Sequence, residues 1–459
     1  MTSPELTMNP RIALGIALSL VVAVGCNRSS TDSSRRGVSA TALNSADAAP
    51  ATTASALAAN ANSVIRTVLE PHSVSALELK DDVQGKFARS HIAFALNVYR
   101  KLSANKPDDN LVFSPISLQL ALGVTVVGAR GGGGENRLAR VMAPGVKPER
   151  INDVMQSWQE QLLRSMNTLT QPGTERVGVL RFANSLWLDD SLQPSSAFVD
   201  KSRQYYGLGV FRMPIRGASS SSLGVLNQWV SEQTDSRIVQ MVKSLTSLDT
   251  AVLVSAAYFK TKFVSPFGSV EPEPFVPKPG AKATVDMMHN VLRTRVTQSL
   301  SYQAVELELL YGATSLVSIM PVSGSLQSFI HGLSAPKWSQ ILMDLEHNKR
   351  TVELHWPKVD FRNRYDNIQS ALGLPPGPVP LPFISPSCAI SQVVHEATFV
   401  ANKDGIEVPS AAGTTMQSGA PSTAKEDGSL EMRFDHPFMF AIIHRLTGSI
   451  LFVGQVTAP

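Results

Sequence analysis

The chain has 459 residues and 43% apolar content, enough for one large domain or for two or three average ones. Its formal net charge of +4 is small for this length, and no run of Lys and Arg exceeds two residues. These values exclude nucleic acid as an expected partner, because binding it requires clustered positive charge.

The first 25 residues have the pattern of a signal peptide. Arg11 precedes a 13-residue apolar run, residues 12–24, which is too short to span a bilayer comfortably. The small residues before Cys26 resemble a bacterial lipobox, whose cysteine is acylated and becomes the mature amino terminus. The alternative is an ordinary secretion signal with an incidental cysteine. We therefore expect an outer-membrane or cell-surface lipoprotein anchored through Cys26, or otherwise a secreted protein.

Residues 26–86 are rich in Ala, Ser and Thr and contain no Phe, Tyr or Trp, so we predict a disordered tether. Aromatic residues begin at Phe87, and residues 87–459 are predicted to form one domain. The only cysteine besides Cys26 is Cys388, which we interpret as a small buried apolar residue without a disulfide.

Apolar spacing predicts helices early in the domain and strands later. The predicted helices are His91–Leu102, Ser117–Val127, Ile151–Met166 and Leu223–Val242. The predicted strands are Val177–Leu188, Ala251–Phe259, Ser315–Met320, Thr351–Leu354, Gln392–Val400, Met439–Arg445 and Ile450–Val456. A tight turn, Leu446–Ser449, joins the last two strands into a closing hairpin. This order indicates an α+β fold with mainly antiparallel sheets.

A long uncharged stretch interrupts the strands near the carboxyl terminus. Residues 408–424 contain no Asp, Glu, Lys or Arg, although these make up 17% of the chain. A solvated linker normally carries charge, whereas a segment that becomes a buried strand cannot. The stretch is therefore compatible with a loop that is buried at some stage; the alternative is a floppy loop of small residues.

No enzymatic signature is present in the sequence. The chain has no GxSxG, no Lys after its tetraglycine Gly131–Gly134, and no third ligand at the expected spacing after His395 and Glu396. We therefore expect neither an enzyme, nor a cofactor, nor a metal.

Seven blocks in order resemble motifs of the serpin family, and together they cover about residues 87–459. They are NLVFSPISLQLAL from Asn110, ANSLWLDD from Ala183, LNQWVSEQTDSRI from Leu226, VLVSAAYFKTKFVSPF from Val252, VDMMHN from Val285, SQVVHEATFVANKDG from Ser391, and DHPFMFAI with TGSILFVGQV near the end. The resemblance implies a serpin fold with three β-sheets, about nine helices and an exposed reactive-centre loop. It also implies suicide-substrate inhibition of serine, or alternatively cysteine, endopeptidases. In that mechanism the cleaved loop inserts into the central sheet while the protease is still attached as an acyl-enzyme.

The resemblance places the loop hinge at Gly405, Ile406, Glu407, Val408, Pro409, Ser410, Ala411 and Ala412. Because side chains alternate along a strand, Ile406, Val408 and Ser410 would face the protein core when the loop is inserted. Glu407 would then face outward. Inhibitory serpins usually have Thr or Ser first, and a run of alanines. Here Ile406 comes first, and Pro409 lacks the N–H that a sheet requires.

Two further sites follow from the resemblance. Ser114, Ser117 and His395 match the shutter residues that control opening of the central sheet, with Ser255 in place of the usual Asn. The alternative for His395 is a buried histidine that is satisfied by hydrogen bonds and has no gating role. Phe263 stands where a Trp usually packs at the point of loop entry.

The scissile bond remains open between two counts. Counting from the hinge reaches Gly419-Ala420, which suits elastase-like or subtilisin-like proteases, and is slightly favoured. Counting back from Asp435 reaches residues 423–426, where Lys425-Glu426 would suit a trypsin-like protease. The sequence thus predicts a monomeric, membrane-tethered protease inhibitor. The alternative is a non-inhibitory binding or substrate protein with the same fold, because of Ile406 and Pro409.

Overall fold

A computed structural model describes residues 65–69, 81–131, 134–167, 178–216, 220–310, 313–407 and 430–459. All of these belong to one compact unit, residues 53–459. The signal peptide, Cys26 and most of the tether lie outside the described residues. Among the helices that the structure describes, none has the length and apolarity needed to cross a membrane.

Nine α-helices are found within the described residues. They are α1 Asp81–Asn105, α2 Pro115–Gly128, α3 Glu135–Met142, α4 Ile151–Asn167, α5 Ser196–Tyr205, α6 Ser220–Gln233, α7 Leu326–Gly332, α8 Ala335–His347 and α9 Gln369–Leu372. Helix α2 begins where Ser114 accepts a hydrogen bond from the Ser117 N–H and Pro115 follows, as the helix-start pattern predicted. Every residue of α2 is buried, so this helix lies inside the core.

The strands are numbered in chain order. They are β1 Arg66–Leu69, β2 Leu111–Phe113, β3 Gly178–Asp189, β4 Gly209–Met213, β5 Ala251–Lys262, β6 Ser269–Phe275, β7 Ala283–Gln298, β8 Tyr302–Glu308, β9 Thr314–Pro321, β10 Lys349–Pro357, β11 Val359–Tyr365, β12 Val379–Pro380, β13 Ala389–Asn402, β14 Gly405–Ile406, β15 Leu430–Arg433, β16 Phe438–His444 and β17 Ser449–Val456.

The central sheet has the strand order β1-β4-β3-β5-β14-β13-β11, with β12 also paired to β13. Its middle strands β5 and β13 run parallel to each other, while β3 is antiparallel to β5 and β11 is antiparallel to β13. The two-residue strand β14 stands between β5 and β13 at one end. The β5–β13 junction is therefore separated by β14 at one end and paired directly at the other.

A second sheet has the order β15-β10-β7-β8-β9-β16-β17-β2, with β6 paired to β7. Strand β7 is 16 residues long, and it pairs with β10 through Met287–Arg295 and with β8 through Arg295–Gln298. The α+β class is confirmed. Strand β7 pairs with β10 along one part and with β8 along the other, so two of the three expected sheets are joined into this one hydrogen-bonded sheet.

Apolar side chains fill both faces of the central sheet. One large core cluster includes α2, β9, β16 and β17 together with Leu253 and Ala257 of β5. A smaller cluster packs Leu226 and Val230 of α6 against the opposite face, where Val254 and Val394 project. The middle of the central sheet is therefore covered on both sides, which explains the nearly continuous apolar sequences of β5 and β13.

The largest differences from the predicted boundaries lie at the end of α6, at the start of α1 and within the predicted tether. The helix predicted to reach Val242 ends at Gln233, because Asp235 and Ser236 adopt φ values of 51° and 60°, which are not helical. Helix α1 begins at Asp81, before the predicted domain start at Phe87. Residues 66–69, predicted as disordered tether, form β1 and pair with β4, where Leu69 is buried.

Candidate functional site

The segment predicted as the hinge begins within the central sheet. Gly405 and Ile406 pair with Asn402 and Ala401 of β13 on one side, and with Lys262 and Thr261 of β5 on the other. Both pairings are antiparallel, which is the direction a strand between the parallel β5 and β13 must take when the chain turns back at residues 403–404. The two residues are the first rung of a strand inserted between its neighbours.

Gly405 is required by close backbone contact. A Cβ atom at this position would lie 2.2 Å from the carbonyl oxygen of Thr261 and 2.6 Å from Cα of Lys262. The turn before it is held by Asn402, whose side-chain oxygen accepts hydrogen bonds from the N–H groups of Asp404 at 2.9 Å and Gly405 at 3.3 Å. Only glycine fits this position without displacement of β5.

The entry point is built from aromatic residues and backbone hydrogen bonds. Phe263 is buried and packs edge-to-face on Phe267, with ring centroids 5.6 Å apart. The N–H of Phe263 donates to Asp404 O at 3.0 Å, and the N–H of Phe267 donates to Lys403 O at 2.8 Å. Phe263 thus lies beside the predicted hinge, and its backbone holds the turn that precedes Gly405. Its role in loop entry remains a prediction.

Ile406 is buried with 1% of its surface exposed and belongs to the main core cluster, as strand alternation predicted. The next residue, Glu407, adopts φ of +49°, in the left-handed region that residues other than glycine rarely occupy. Its N–H still donates to Val400 O at 2.7 Å. The extended strand therefore stops at Ile406, and the chain turns at Glu407.

Glu407 lies on the face opposite to Ile406, but that face is not open to solvent. The Glu407 side chain is 1% exposed, its Oε1 accepts a hydrogen bond from Thr398, and its Oε2 lies 4.0 Å from Nε of Arg237. Within the described part of the chain, Oε2 accepts no hydrogen bond. The expectation that Glu407 would face outward, with no charge to bury, is therefore wrong: its carboxyl group is buried beside Thr398 and Arg237.

Burial raises the pKa of Glu407 to about 7, against the lowering effects of the Thr398 hydrogen bond and the Arg237 charge. Glu407 in turn contributes, after burial, to the raised pKa of Tyr258 on β5. A carboxyl group in this position changes its charge near neutral pH, directly beside the point where the loop leaves the sheet.

Below the hinge, β5 and β13 are paired directly. Their parallel register runs from Ala251 opposite Ile390 to Ala257 opposite Ala397. The structure brings the four predicted shutter residues together at this level, where α2 passes beneath the sheet. We call Ser114, Ser117, Ser255 and His395 the shutter cluster; all four are fully buried. Their role in sheet opening remains a prediction.

His395 joins three elements through its two ring nitrogens. The backbone N–H of Ser114 donates to Nε2 at 3.0 Å, so the ring proton must be on Nδ1. Nδ1 then donates to Ser255 O at 2.9 Å, with Ser255 Oγ at 3.2 Å. Burial lowers the pKa of His395 to about 3, so the ring is uncharged at neutral pH. The ring of Tyr365 stacks on it, with centroids 6.0 Å apart.

Asn184 on β3 completes the cluster and was missed from the sequence. It lies opposite Ser255 in the β3–β5 register, its Oδ1 accepts from the Ser117 hydroxyl at 2.8 Å, and its Nδ2 donates to Ser117 O at 3.2 Å. Ser255 Oγ is 2.9 Å from Ser117 Oγ. The amide expected on β5 is therefore supplied by the neighbouring strand. Asn184 lies within the block ANSLWLDD, whose inward alternation could have identified it.

The remaining predicted site residues lie outside the described residues. These are Cys26, Val408, Pro409, Ser410, Ala411, Ala412, Gly419, Ala420, Lys425 and Glu426. Cys388 is described; it is buried, forms no disulfide among the described residues, and burial raises its pKa to about 12.

Comparison with known proteins adds an independent line of evidence. The family model for serpin (serine protease inhibitor) matches residues 89–459. An uncharacterized serpin-like protein of Thermococcus kodakarensis is 27% identical over 389 residues, which covers 83% of this chain and 88% of that protein. Corticosteroid-binding globulin of Ovis aries is 27% identical over 388 residues, which covers 81% and 85%. The native structure of the thermophilic serpin tengpin has a TM-score of 0.70 at 20% identity, and covers 86% and 100%.

Proposed function

The chain belongs to the serpin family, and from that premise we propose that it is a suicide-substrate inhibitor of serine endopeptidases, with cysteine endopeptidases as a second target class. Serpins are generally protease inhibitors rather than enzymes. In the proposed reaction a protease attacks the loop after the hinge and forms an acyl-enzyme. Insertion of the loop between β5 and β13 then carries the protease away before the ester is hydrolysed.

One observation supports the proposal most: β14 lies between β5 and β13, where the proposed inserted strand would begin. Ile406 is buried between Ala401 and Thr261, and its pairing is antiparallel to both neighbours. Insertion of the remaining loop extends a ladder that has already begun, and so does not need to nucleate a new one. The small, uncharged residues 408–424 have the composition that such an extension requires.

Extension of this register places Pro409 opposite Tyr258 and Thr398. Because the N–H of Glu407 points to Val400 on β13, the nitrogen of Pro409 would point to the same side, toward Thr398. One hydrogen bond to β13 would be lost, and a misplaced proline costs about 3 kcal/mol. About ten backbone bonds, at roughly 1 kcal/mol net each, outweigh that cost thermodynamically. The cost falls on the rate of insertion, where each 1.4 kcal/mol slows the step about tenfold.

The test is formation of an SDS-resistant complex. The full chain is incubated with trypsin-like, elastase-like and subtilisin-like proteases, and covalent complex is separated from cleaved chain by electrophoresis. We expect complex with one of these classes. Ile406→Glu is the matched control, because a charge at this buried position blocks insertion while the cleavage site is unchanged. Cleavage without complex across the whole panel would contradict the proposal.

The same reaction identifies the scissile bond. Mass spectrometry of the released carboxyl-terminal fragment gives its first residue, which is Ala420 for an elastase-like or subtilisin-like target and Glu426 for a trypsin-like target. We favour Ala420, because Gly405 and Ile406 are anchored in the sheet and the count from this end is therefore the firmer one.

A non-inhibitory binding or substrate protein is the second candidate, favoured by Ile406, Pro409 and the turn of the chain at Glu407. One relative, corticosteroid-binding globulin, has a name that describes binding and not inhibition. If slow insertion is the cause, the double change Ile406→Thr and Pro409→Ala creates or strengthens complex formation. An unchanged ratio of complex to cleaved chain would show that the hinge sequence is not the limitation.

We further propose that the protein is exported and anchored to a membrane through an acylated Cys26, and acts as a monomer near the cell surface. The support is the lipobox-like sequence and the Ala/Ser/Thr-rich residues 26–86. Incorporation of labelled fatty acid into the wild type and its loss in Cys26→Ser tests the anchor. Labelling that persists in the variant would refute it, and a size-exclusion mass of a dimer would refute the monomer.

A further inference from the structure

A second cluster of functional groups lies away from the hinge, at the start of the second sheet. Glu273 of β6, His289 of β7 and His355 of β10 place one ligand atom each within 4.8 Å of one another. The Oε1 atom of Glu273 is 2.8 Å from Nε2 of His289 and 3.2 Å from Nδ1 of His355. No spacing in the sequence predicts this site, because the three residues come from three different strands.

The strand pairing fixes the two histidines side by side. His289 and His355 are direct partners in the antiparallel β7–β10 ladder, and their ring centroids are 4.2 Å apart. Zn²⁺ binds His nitrogen and carboxylate oxygen at about 2.0–2.2 Å, so two ligands of a tetrahedral site are about 3.3 Å apart. The distances of 2.8 and 3.2 Å to Glu273 Oε1 come within about half an ångström of that value.

The site is also sheltered. The side chains of Glu273, His289 and His355 are 14%, 19% and 7% exposed. A metal ion bound by these three residues would take its fourth ligand from solvent, since each side chain keeps some exposed surface. Two imidazoles, one carboxylate and a water form the donor set that zinc takes in open sites. The same donors suit cobalt and nickel, whereas calcium and magnesium prefer oxygen ligands.

The surrounding charges favour a divalent cation. Glu353 and Glu431 lie 3.8 and 3.9 Å from Nε2 of His355, and Arg433 Nη1 lies 3.5 Å from the same nitrogen. With Glu273, the three carboxylates and one guanidinium carry a summed charge of −2. Arg433 binds Oε2 of Glu273, which leaves Oε1 directed at the two imidazoles. A hydrogen-bonded second oxygen is the usual arrangement of a ligating carboxylate.

We propose that Glu273, His289 and His355 form a binding site for a transition-metal dication of the zinc class. Arg433, which holds Glu273 from the other side, belongs to β15, the strand that receives the chain after residues 408–429. β15 pairs with β10 next to the site. The bound metal fixes Glu273, and through Arg433 it holds the carboxyl-terminal base of the loop against the second sheet.

Calorimetric titration of the full chain with Zn²⁺ in a buffer free of chelators tests the site, and Co²⁺ absorption in the visible range reports on direct ligation. We expect one ion per chain. His289→Gln and Glu273→Gln, both at partly exposed positions, should weaken binding at least about 100-fold without loss of the folded state by circular dichroism. His331→Gln, at an exposed histidine of α7, is the matched control and should bind like the wild type.

Equal zinc uptake by the wild type and the two ligand variants would overturn the proposal, as would the absence of stoichiometric binding by the wild type. The link to the loop has its own readout. Zn²⁺ should slow hydrogen exchange of residues 430–433 in the wild type and leave it unchanged in His289→Gln. Binding without that slowing would retain the site and refute its effect on β15.

Discussion

The two ends of the β5–β13 junction are in different states. At the hinge end, β14 has separated the strands, and Gly405 and Ile406 take hydrogen-bonding positions on both sides. At the shutter end, the strands pair directly up to Ala257 and Ala397. His395 and its partners link this end to α2 below. The same two strands are thus separated by β14 at one end, and they are paired directly beside the shutter cluster at the other.

If the loop inserts as we propose, this difference locates the resistance to insertion at the shutter end. The first rung of the inserted strand is in place, so entry of the loop is not the step that must be overcome. Further insertion must break direct β5–β13 pairing and then disturb the buried hydrogen bonds around His395. Because each of those groups is fully buried, an unpaired donor or acceptor there is costly. The shutter cluster should therefore control the rate of loop insertion. The hinge should control whether the first residues of the loop are already paired with β5 and β13.

The largest effect on stability is expected at the shutter cluster. His395→Ala removes the acceptor of the Ser114 N–H and the donor to Ser255 O, and leaves a cavity beside Tyr365. We expect a loss of about 4 kcal/mol in the free energy of unfolding, measured by urea titration. Hydrogen exchange of residues 393–396 should accelerate while that of residues 401–406 stays the same.

His331→Ala, at an exposed histidine on α7, is the control and should change the unfolding midpoint little. If His395→Ala lowers the free energy of unfolding by less than about 1 kcal/mol, the shutter cluster does not hold β5 and β13 together. Equal acceleration of exchange at both ends would show that the two ends are one cooperative unit, and the comparison would fail.

The second largest effect is the pH dependence of hinge pairing, which we expect Glu407 to control. Glu407 faces Arg237 and Lys260, which favour its charged form, and Asp360, which opposes it; burial dominates and raises its pKa to about 7. A raised carboxyl pKa means that the docked hinge binds the proton more tightly than the undocked hinge. Docking here means the pairing of Gly405 and Ile406 with β13 and β5. The contribution of Glu407 to docking is fully present below pH about 4.5, and it is lost as pH rises through about 7. The rise from 4.5 to about 7 corresponds to up to about 3 kcal/mol.

Hydrogen exchange of residues 404–407, corrected for intrinsic rates, should accordingly be faster at pH 8 than at pH 5. Glu407→Gln keeps the hydrogen-bonding shape without the charge, and should give slow exchange at both pH values. If the wild type and Glu407→Gln have the same pH profile, Glu407 does not govern hinge docking.

The smallest of the three effects is steric. Gly405→Ala places a methyl group 2.2 Å from Thr261 O, and we expect an overpacking cost of about 2 kcal/mol that is relieved when the hinge leaves the sheet. Exchange of residues 404–406 should accelerate, with little change in global unfolding. Gly332→Ala is the matched control, since its Cβ would meet no atom within 4 Å. Unchanged exchange in Gly405→Ala would mean that β14 is not held by close contact.

Several parts of the molecule followed from the sequence because local patterns decide them. The α2 start at Ser114-Pro115, the closing hairpin and the buried side of Ile406 are examples, and the structure has each of them. The motif order was sufficient for the family, because seven blocks in sequence constrain the fold far more than any one of them does.

Other features depend on contacts between distant segments, and local patterns do not contain that information. Arg237, distant in the sequence, lies beside the buried Glu407, and the shutter amide comes from β3, one strand away from its expected place. The end of α6 at Gln233 is set by Asp235 and Ser236 in left-handed conformations. The Glu273 cluster is assembled by the pairing of β6, β7 and β10, which no spacing in the sequence reveals.

The most direct test of loop insertion is thermal unfolding of the full chain before and after a broad-specificity protease nicks it between residues 408 and 429. Insertion adds about ten backbone hydrogen bonds at roughly 1 kcal/mol each, so we predict that cleavage raises the melting temperature by at least about 10 °C. Ile406→Glu, cleaved in the same way, should show no rise. An unchanged melting temperature in the nicked wild type would mean that the loop stays outside the sheet, and would contradict the inhibitory mechanism.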